Sequence, residues 1–187
     1  MVFAILWTAL SSCTPLTPLP ARERRYAVAT PDAEYFATRP LMVPVVGVSP
    51  GEVGDSFNAP RSDGRTHRAT DIRAARGTPV VAAATGRVIM LRENALGGIT
   101  VYLVDRDQRF VYYYAHLERY AEQLAEGMDV QQGQLLGYVG TSGNAPPNFP
   151  HLHFQALRLD RSRRDWWNGP AVDVRPYFSL TGRERTQ

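Results

Sequence analysis

Two histidines separated by a single residue are the part of this sequence best suited to chemistry. They lie in the segment Pro150–Gln155, which reads PHLHFQ. Side chains alternate between the two faces of a strand, so a strand here would place His151 and His153 on one face and Leu152 on the other. Two charged imidazoles this close would repel each other. A shared cation, or one metal ligand beside one proton-transfer group, removes that repulsion. The segment by itself leaves open two surface histidines on an edge strand.

A second pair of chemically useful residues lies earlier in the chain. His67 is followed four residues later by Asp71. A helix would place both on one face, but Gly64 before them and Gly77–Pro79 after them are equally consistent with a loop that enters a strand. In either geometry, a neutral imidazole and a carboxylate are suitable zinc ligands, with bonds of about 2.0–2.2 Å.

Together with His116, these residues are numerous enough for a catalytic zinc site. Such a site has three protein ligands and an open fourth position for water. His67, Asp71 and one member of the pair at 151 and 153 would supply three ligands. The other member and His116 would then lie beside the water, where they could transfer protons or stabilise an oxyanion. A structural site more often closes with a fourth protein ligand, so the two additional histidines favour chemistry.

Short apolar runs broken by Gly and Pro predict the elements that position these residues. Ile99–Val104 and Phe110–Tyr114 flank the polar segment Asp105–Arg109, a pattern typical of a β-hairpin. A helix is predicted at Leu117–Leu124. Further strands are predicted at Pro79–Ala84, Arg87–Leu91, Gln134–Val139 and His151–Leu159. Short strands with frequent turn residues indicate a mainly β domain.

Composition narrows the class of protein. The chain has 187 residues and a formal charge of +3, with 21 basic residues, all Arg, against 18 acids. This length suffices for one globular domain with an unstructured appendage. The Arg residues are dispersed and form no basic tract, so no nucleic-acid partner is predicted. A mild basic excess is compatible with an anionic polymer such as a cell wall.

The first 40 residues differ from the rest. Residues 1–10 are apolar but shorter than the roughly 20 residues that span a bilayer, and they fit the core of a signal peptide. Leu10–Cys13 resembles the lipobox of bacterial lipoproteins. It predicts a signal peptide at 1–12 and attachment to a membrane through lipidated Cys13. No basic residue precedes Arg22, so the usual basic n-region is missing. The alternative is an ordinary buried N-terminal segment with a free thiol.

Prolines are concentrated after this cysteine. Residues 14–40 are predicted to be a Pro-rich tether that holds the domain away from a membrane surface. A short amphipathic helix around Ala33–Thr38 is compatible with the pattern. The folded domain is predicted to span 41–180. Cys13 is the single cysteine, which excludes internal disulfides.

Several motifs, in this order and spacing, resemble those of the LytM/lysostaphin-like zinc metallopeptidases, which cut peptidoglycan peptides. The resemblance covers about residues 44–159. The matching pieces are Phe57–Arg61, Gly64–His67, Asp71-Ile72, Gly77–Val80, Tyr114–Leu117, Gly137–Ala145 and His151–Phe154. The number of separate pieces argues against coincidence.

The resemblance implies both a fold and a set of roles. The implied fold is a compact antiparallel β-sheet domain of the duplicated-hybrid-motif type, with one short helix and a narrow active-site groove between loops. The implied zinc ligands are His67, Asp71 and His153, with one ion per chain. His116 and His151 are then the catalytic residues that act on the water and the tetrahedral intermediate.

The sequence departs from the family pattern at two positions. Ala69 stands where the family usually has Gly two residues after the first ligand, and an alanine tolerates less backbone freedom. Gln155 stands where an acidic residue often follows the last motif. Both departures can change rate or zinc affinity, because residues around metal ligands affect both.

Two aromatic segments have structural interpretations beside functional ones. Tyr112–Tyr114 predicts a strand with alternating buried and exposed rings, rather than a substrate platform, although the resemblance places it beside the groove. Trp166–Pro170 is consistent either with a flank of the groove or with packing of the C-terminal tail.

These observations predict an exported, lipid-anchored zinc endopeptidase that cleaves stem peptides or cross-bridges of peptidoglycan. It would work at the periplasmic face of a bacterial membrane, and Thr14 after Cys13 favours the outer membrane. One alternative is a catalytically silent relative that binds and activates another wall hydrolase. Such relatives lack ligands or catalytic histidines, and here all five positions are filled. A second alternative is a zinc peptidase that acts on proteins. Inhibition by a protein regulator is compatible with any of these.

Overall fold

The computed structural model describes residues 31–61, 64–160, 165 and 168–185. These residues contain one α-helix, α1 (Pro31–Ala37), and 3₁₀ turns at Pro50–Glu52 and Arg175–Tyr177. The strands are β1 (Leu41–Met42), β2 (Thr70–Arg73), β3 (Pro79–Val81), β4 (Gly86–Asn94), β5 (Gly98–Asp105), β6 (Phe110–Tyr120), β7 (Asp129–Val130), β8 (Leu135–Val139), β9 (His151–Arg158), β10 (Ala171–Val172) and β11 (Phe178–Leu180).

Nine of these strands form one antiparallel sheet around the long strand β6. Strand β6 pairs with β5, with β9 through Phe110–Ala115, and with β8 through Leu117–Tyr120. Strand β9 pairs in addition with β2 and β10, so the histidine strand lies inside the sheet rather than at its edge. Strands β4 and β7 continue the sheet beyond β5, and β3 pairs with β8. Strands β1 and β11 form a separate parallel pair.

Alternation along β9 separates the core from the opposite face. Leu152, Phe154 and Ala156 are fully buried in the main apolar cluster. Tyr112 and Tyr114 of β6 join them, and the Tyr114 hydroxyl accepts a hydrogen bond from the backbone N–H of residue 83 at 3.0 Å. Burial of these large side chains is the main stabilising contribution to the sheet. The intervening residues of β9 are left on the other face.

The predicted mainly β, antiparallel architecture is confirmed, and so is the hairpin around residues 105–109. The predicted helix at Leu117–Leu124 is wrong. Leu117–Tyr120 is the end of β6, and residues 121–124 form a turn after it. Residues such as Glu, Arg and Leu favour a helix by only tenths of a kcal/mol each. Pairing of Leu117 with Val139, together with complete burial of Leu117, outweighs that preference.

The N-terminal helix α1 packs against the domain. Tyr35 and Phe36 are buried beside Phe110, and the Tyr35 hydroxyl donates to Oδ2 of Asp105 at 2.6 Å. An ion pair joins Asp32 to Arg158 at the end of β9. Residues 31–40 therefore differ from the prediction of a tether, because the aromatic side of α1 covers the apolar edge of the sheet. This helix overlaps the segment around Ala33–Thr38, whose sequence pattern is compatible with a short amphipathic helix.

Several predicted features lie outside the described residues. These are the signal peptide at 1–12, Cys13, the tether residues 14–30 and the tryptophans of the segment Trp166–Pro170. Among the described residues, no helix has both the length and the apolar character needed to cross a bilayer.

Candidate active site

Asp71 and His153 meet because their strands place them directly opposite each other. Strands β2 and β9 are antiparallel, and Asp71 pairs with His153 in their register. The Cβ atoms of directly opposed residues are about 5 Å apart and project from the same face of the sheet. That face is opposite the core, because the neighbours Thr70 and Ile72 are buried. Nδ1 of His153 lies 3.0 Å from Oδ1 of Asp71.

His67 reaches the same point from the loop before β2. Its backbone N–H donates to the carbonyl oxygen of Ala59 at 2.9 Å, and its ring Nδ1 donates to the carbonyl oxygen of Ser56 at 2.8 Å. Nε2 consequently faces the site, 3.1 Å from Oδ1 of Asp71 and 3.1 Å from Nδ1 of His153. His67 and Asp71 therefore lie on a loop that enters a strand, and not on one face of a helix.

The two departures from the family pattern are accommodated in this loop. The residue with positive φ is Arg68, at +54°, and Ala69 is not among the described non-glycine residues with positive φ. Glycine's freedom is therefore not required at position 69. Gln155 donates through Nε2 to the carbonyl oxygen of Arg68 at 3.0 Å, and so holds the residue that follows His67. A carboxylate at position 155 could not make this bond.

The three donor atoms fit a metal ion. The ligand atoms of His67, Asp71 and His153 all lie within 4.8 Å of one another, and the hydrogen-bonded separations are 3.0 to 3.1 Å. Tetrahedral bonds of about 2.0–2.2 Å give donor separations of about 3.3–3.6 Å, so a cation requires only a small expansion. The proton of neutral His67 is committed to Ser56, which leaves three electron-rich atoms facing one another with at most one proton between them. A cation satisfies all three.

The electrostatics of the site favour the charge states in which these residues could bind a metal. Burial by itself would raise the pKa of Asp71, but the polar contacts of its carboxylate with the imidazoles of His153 and His67 outweigh burial and hold the pKa well below its usual range. Burial lowers the pKa of His153, against the opposing effect of Asp71. At neutral pH the carboxylate is therefore charged and His153 is neutral, which are the states that bind metal.

His151 lies on the same face of β9, two residues before His153. Its Nδ1 donates to the carbonyl oxygen of Phe149 at 2.8 Å, which leaves the Nε2 lone pair of the neutral ring directed at the site. Nε2 lies 3.8 Å from Oδ1 of Asp71. The Phe149 ring stands 5.1 Å from the imidazole, and the Arg73 guanidinium lies 4.0 Å above that ring. The orientation of His151 is thus fixed by both a hydrogen bond and ring packing.

His116 is directed into the site by a bulge. Strand β6 gains one residue relative to β5 between Tyr114 and Leu117. His116 lies in this bulge with φ of +61°, and its N–H donates to the carbonyl oxygen of Gly97 at 2.7 Å. Regular alternation would send His116 to the face opposite Ala115. Instead both residues line the same groove, because the extra residue redirects the side chain.

The protonation state of His116 follows from its surroundings. Burial, together with the neighbouring His153 and His151, lowers its pKa to about 4 against the opposing effect of the Ser142 carbonyl. The ring centroid is 5.0 Å from that of His151 and 5.6 Å from that of His153. Nδ1 donates to the carbonyl oxygen of Ser142 at 2.8 Å. At neutral pH, His116 is therefore an uncharged ring whose Nε2 accepts a hydrogen bond.

These residues open onto a groove of about 570 Å³. One wall carries Tyr113, whose ring centroid lies 4.7 Å from that of Tyr102, with the two rings tilted, and 6.2 Å from that of His153. Tyr112 and Tyr114 point into the core, so the predicted alternation of the three tyrosines is confirmed. The rim includes Leu96, which is 66% exposed, and Arg61. The groove therefore presents aromatic, apolar and cationic groups beside the histidines.

The structure brings together all five residues that the sequence singled out: His67, Asp71, His116, His151 and His153. The sequence did not single out Ser56 and Ser142, whose carbonyl groups orient two of the imidazoles. Their only signal was position: Ser56 directly precedes one matched motif and Ser142 lies within another.

This chain is similar to a protein family, to individual proteins of known activity and to solved structures. A family model described as Peptidase family M23 matches residues 65–172, which include the five site residues. The chain is 35% identical over 118 residues to the L-Ala–D-Glu endopeptidase of Bacillus subtilis, covering 60% of this chain and 36% of that protein. It is 36% identical over 121 residues to the peptidoglycan DD-endopeptidase ShyC of Vibrio cholerae, covering 65% and 26% respectively.

Among solved structures, the catalytic domain of the antimicrobial peptidase lysostaphin from Staphylococcus simulans is similar. It has a TM-score of 0.55 and 25% sequence identity, and the match covers 78% of this chain and 96% of that one. The similarity confirms the expected fold. The two curated relatives are much longer than their matched regions, since the match spans 36% of one and 26% of the other.

Proposed function

Because the chain belongs to peptidase family M23, we propose that it is a zinc-dependent endopeptidase that hydrolyses peptide bonds in peptidoglycan stem peptides or cross-bridges. One observation carries the proposal. The ligand atoms of His67, Asp71 and His153 converge within hydrogen-bonding distance, beside two further imidazoles whose Nε2 atoms are free to accept protons.

In this proposal, zinc is held by Nε2 of His67, Oδ1 of Asp71 and Nδ1 of His153. Two nitrogens and one carboxylate oxygen are a donor set typical of catalytic zinc. When bound, zinc polarises a carbonyl group and lowers the pKa of water toward about 7. The carboxylate is already charged, and neutral His153 would bind the ion through Nδ1 in the tautomer that carries its proton on Nε2.

His151 is proposed as the residue that moves the proton. Its Nδ1–H is committed to the carbonyl of Phe149, so Nε2 is the atom that accepts a proton from the attacking water. The same atom then returns the proton to the nitrogen of the leaving amine. The position of the ring on β9 and its packing against Phe149 hold Nε2 near the proposed ligands during both proton transfers.

His116 is proposed to stabilise charge on the other side of the site. In its neutral state Nε2 accepts, so it can orient a proton of the attacking water. A proton that Nε2 takes from the attacking water can then be donated to the carbonyl oxygen as negative charge develops there. Because the pKa is lowered to about 4, the protonated ring is a strong donor and releases its proton readily.

We extend the proposal to the location of the domain. The apolar residues 1–10, the signal peptide predicted at 1–12 and Cys13 support export and lipid anchoring at the periplasmic face of a bacterial membrane, with the outer membrane favoured by Thr14. Residues 14–30 then form the tether. A fully extended Pro-rich segment of this length would span at most roughly 50 Å, at about 3.1 Å per residue.

The test measures metal content and cleavage together in three proteins: wild type, His153→Ala and His116→Ala. Isolated peptidoglycan is the substrate, and casein serves as a control for general proteolysis. Released muropeptides and new amino termini are followed by mass spectrometry. We expect one zinc per wild-type chain with cleavage, loss of both in His153→Ala, and retained zinc without cleavage in His116→Ala.

The other outcomes distinguish the alternatives. Zinc without cleavage of several wall types would support a domain that activates another hydrolase. Cleavage of casein but not of wall peptides would support a general protein peptidase. A wild-type protein that binds no zinc, or a His153→Ala variant that binds it as tightly as wild type, would overturn the ligand assignment.

A further inference from the structure

Two serines beside the site have the same arrangement of hydrogen bonds. We infer that Ser56 and Ser142 are paired positioning residues. Ser56 orients the imidazole of the metal ligand His67, and Ser142 orients the catalytic imidazole of His116. In each, the carbonyl accepts from an imidazole Nδ1–H while the hydroxyl ties the serine to neighbouring backbone. The assignment of the two histidines rests on the proposed function, whereas the hydrogen-bond arrangement does not.

Ser56 connects three points of the loop that carries the first two ligands. Its carbonyl oxygen accepts from Nδ1 of His67 at 2.8 Å. Its hydroxyl accepts from the backbone N–H of Asp71 at 2.9 Å and donates to the carbonyl of Ala69 at 3.2 Å. One side chain thus fixes the orientation of His67 relative to the start of β2, where Asp71 lies.

Ser142 repeats this arrangement on the opposite side of the site. Its carbonyl oxygen accepts from Nδ1 of His116 at 2.8 Å. Its hydroxyl accepts from the backbone N–H of Ile99 at 2.9 Å and donates to the carbonyl of Leu117 at 2.6 Å. These two partners lie directly opposite each other on β5 and β6, beside the bulge that contains His116.

A hydroxyl suits this position because it accepts one hydrogen bond and donates another at the same time. Both serines lie in loops outside the strands, so neither carbonyl is held by the regular pairing of a sheet. An alanine would remove both anchoring bonds and leave the carbonyl in place but less constrained. The imidazole would then lose a fixed acceptor, and with it a defined tautomer and direction.

Each loop also has backbone hydrogen bonds that do not depend on the serine side chain. The N–H of Ala59 donates to Ser56, and the N–H of Asn144 donates to Leu96. We therefore expect the alanine variants to fold. The inference predicts different losses at the two sites, whereas serines that merely stabilise their loops would have similar and nonspecific effects.

The experiment compares Ser56→Ala, Ser142→Ala and the hydroxyl-retaining variants Ser56→Thr and Ser142→Thr. Ser49→Ala is the matched control, because its hydroxyl bonds to Glu52 in a solvent-exposed turn. Zinc affinity is measured by competition with a chelator. The tautomers of His67 and His116 are read from the ¹⁵N chemical shifts of their ring nitrogens. Hydrolysis is measured with excess zinc to separate kcat from KM.

We expect the zinc dissociation constant to rise by about tenfold or more in Ser56→Ala, as found for partners of metal ligands, and to stay within about twofold in Ser142→Ala. Ser142→Ala should lower kcat by about tenfold with little change in KM, and its His116 spectrum should show mixed tautomers. The threonine variants should restore most of each property, and Ser49→Ala should match wild type.

Equal effects of Ser56→Ala and Ser142→Ala on zinc affinity would overturn the inference. So would unchanged ring tautomers in both variants, or a Ser49→Ala variant with the same losses. Failure of the proposed function is recognised separately. A protein that cleaves no wall peptide still reports zinc affinity and ring tautomers, and those two readouts decide the inference without activity.

Discussion

Replacing His116 by glycine should give a more stable protein than replacing it by alanine. His116 has φ of +61°, in the left-handed region. This conformation costs a residue with a Cβ about 1–2 kcal/mol, and glycine avoids that cost. Glycine also lowers the free energy of unfolding by about 0.5–1 kcal/mol, because the unfolded chain is more flexible at a glycine. The difference leaves His116→Gly more stable than His116→Ala by about 0.5–1 kcal/mol.

Comparing these two variants isolates the backbone. Both lose the imidazole, its hydrogen bond to Ser142 and its packing against His151, so those contributions cancel. The measurement is urea unfolding of the zinc-free proteins. A difference of this size corresponds to about 1–4 °C in melting temperature for a domain of this length. Cleavage should fall by about 100-fold or more in both, since both lack the imidazole that is proposed to stabilise charge in the transition state.

Ala115 supplies the matched control. It precedes His116, is buried and is not among the residues with positive φ, so Ala115→Gly should destabilise the protein by about 1 kcal/mol. Opposite signs at adjacent positions would locate the strain at residue 116. If His116→Ala is as stable as His116→Gly while Ala115→Gly destabilises as expected, the left-handed conformation of His116 is refuted.

Three further outcomes are expected. In the zinc-free protein, His116 should titrate near pH 4 by NMR, and a midpoint near 6.5 would contradict this. Because its folded pKa lies below the unfolded value of about 6.5, its contribution to stability is complete above about pH 6.5 and is lost as pH falls toward 4. Ala69→Gly should not raise activity and should lower the free energy of unfolding by about 1 kcal/mol, since position 69 does not need positive φ; a more stable, more active variant would show that it does. Tyr35→Phe should cost about 1.5–3 kcal/mol in chemical denaturation, because the buried carboxylate of Asp105 loses a donor, and an unchanged stability would mean that α1 does not dock.

Much of the site was predictable because ligand chemistry is a property of residue type. The sequence contains four histidines, and each falls beside a turn or at the end of an apolar run. The alternation of His151, Leu152 and His153 sufficed to place both imidazoles on one face of a strand, since that alternation is a property of the backbone. Motif order then indicated the family, and the match over residues 65–172 agrees with it.

Local preference failed where distant pairing decided the structure. Residues 117–124 contain helix-favouring side chains, yet the first four of these residues form a strand because they pair with β8. The docking of α1 likewise depends on Phe110 and Asp105, which lie about 70 residues further along the chain. In both cases the local sequence does not reveal the distant residues that determine its structure.

The sequence by itself determined which atoms could bind a metal and which segments alternate, because both follow from neighbouring residues. Only the tertiary structure decided how those atoms meet. The register that opposes Asp71 to His153, 82 residues later, and the bulge that turns His116 toward them arise from pairing between distant strands. Ser56 and Ser142 acquire their roles in the same way, since the meaning of a serine in a loop depends on which backbone groups the fold brings within reach of its hydroxyl.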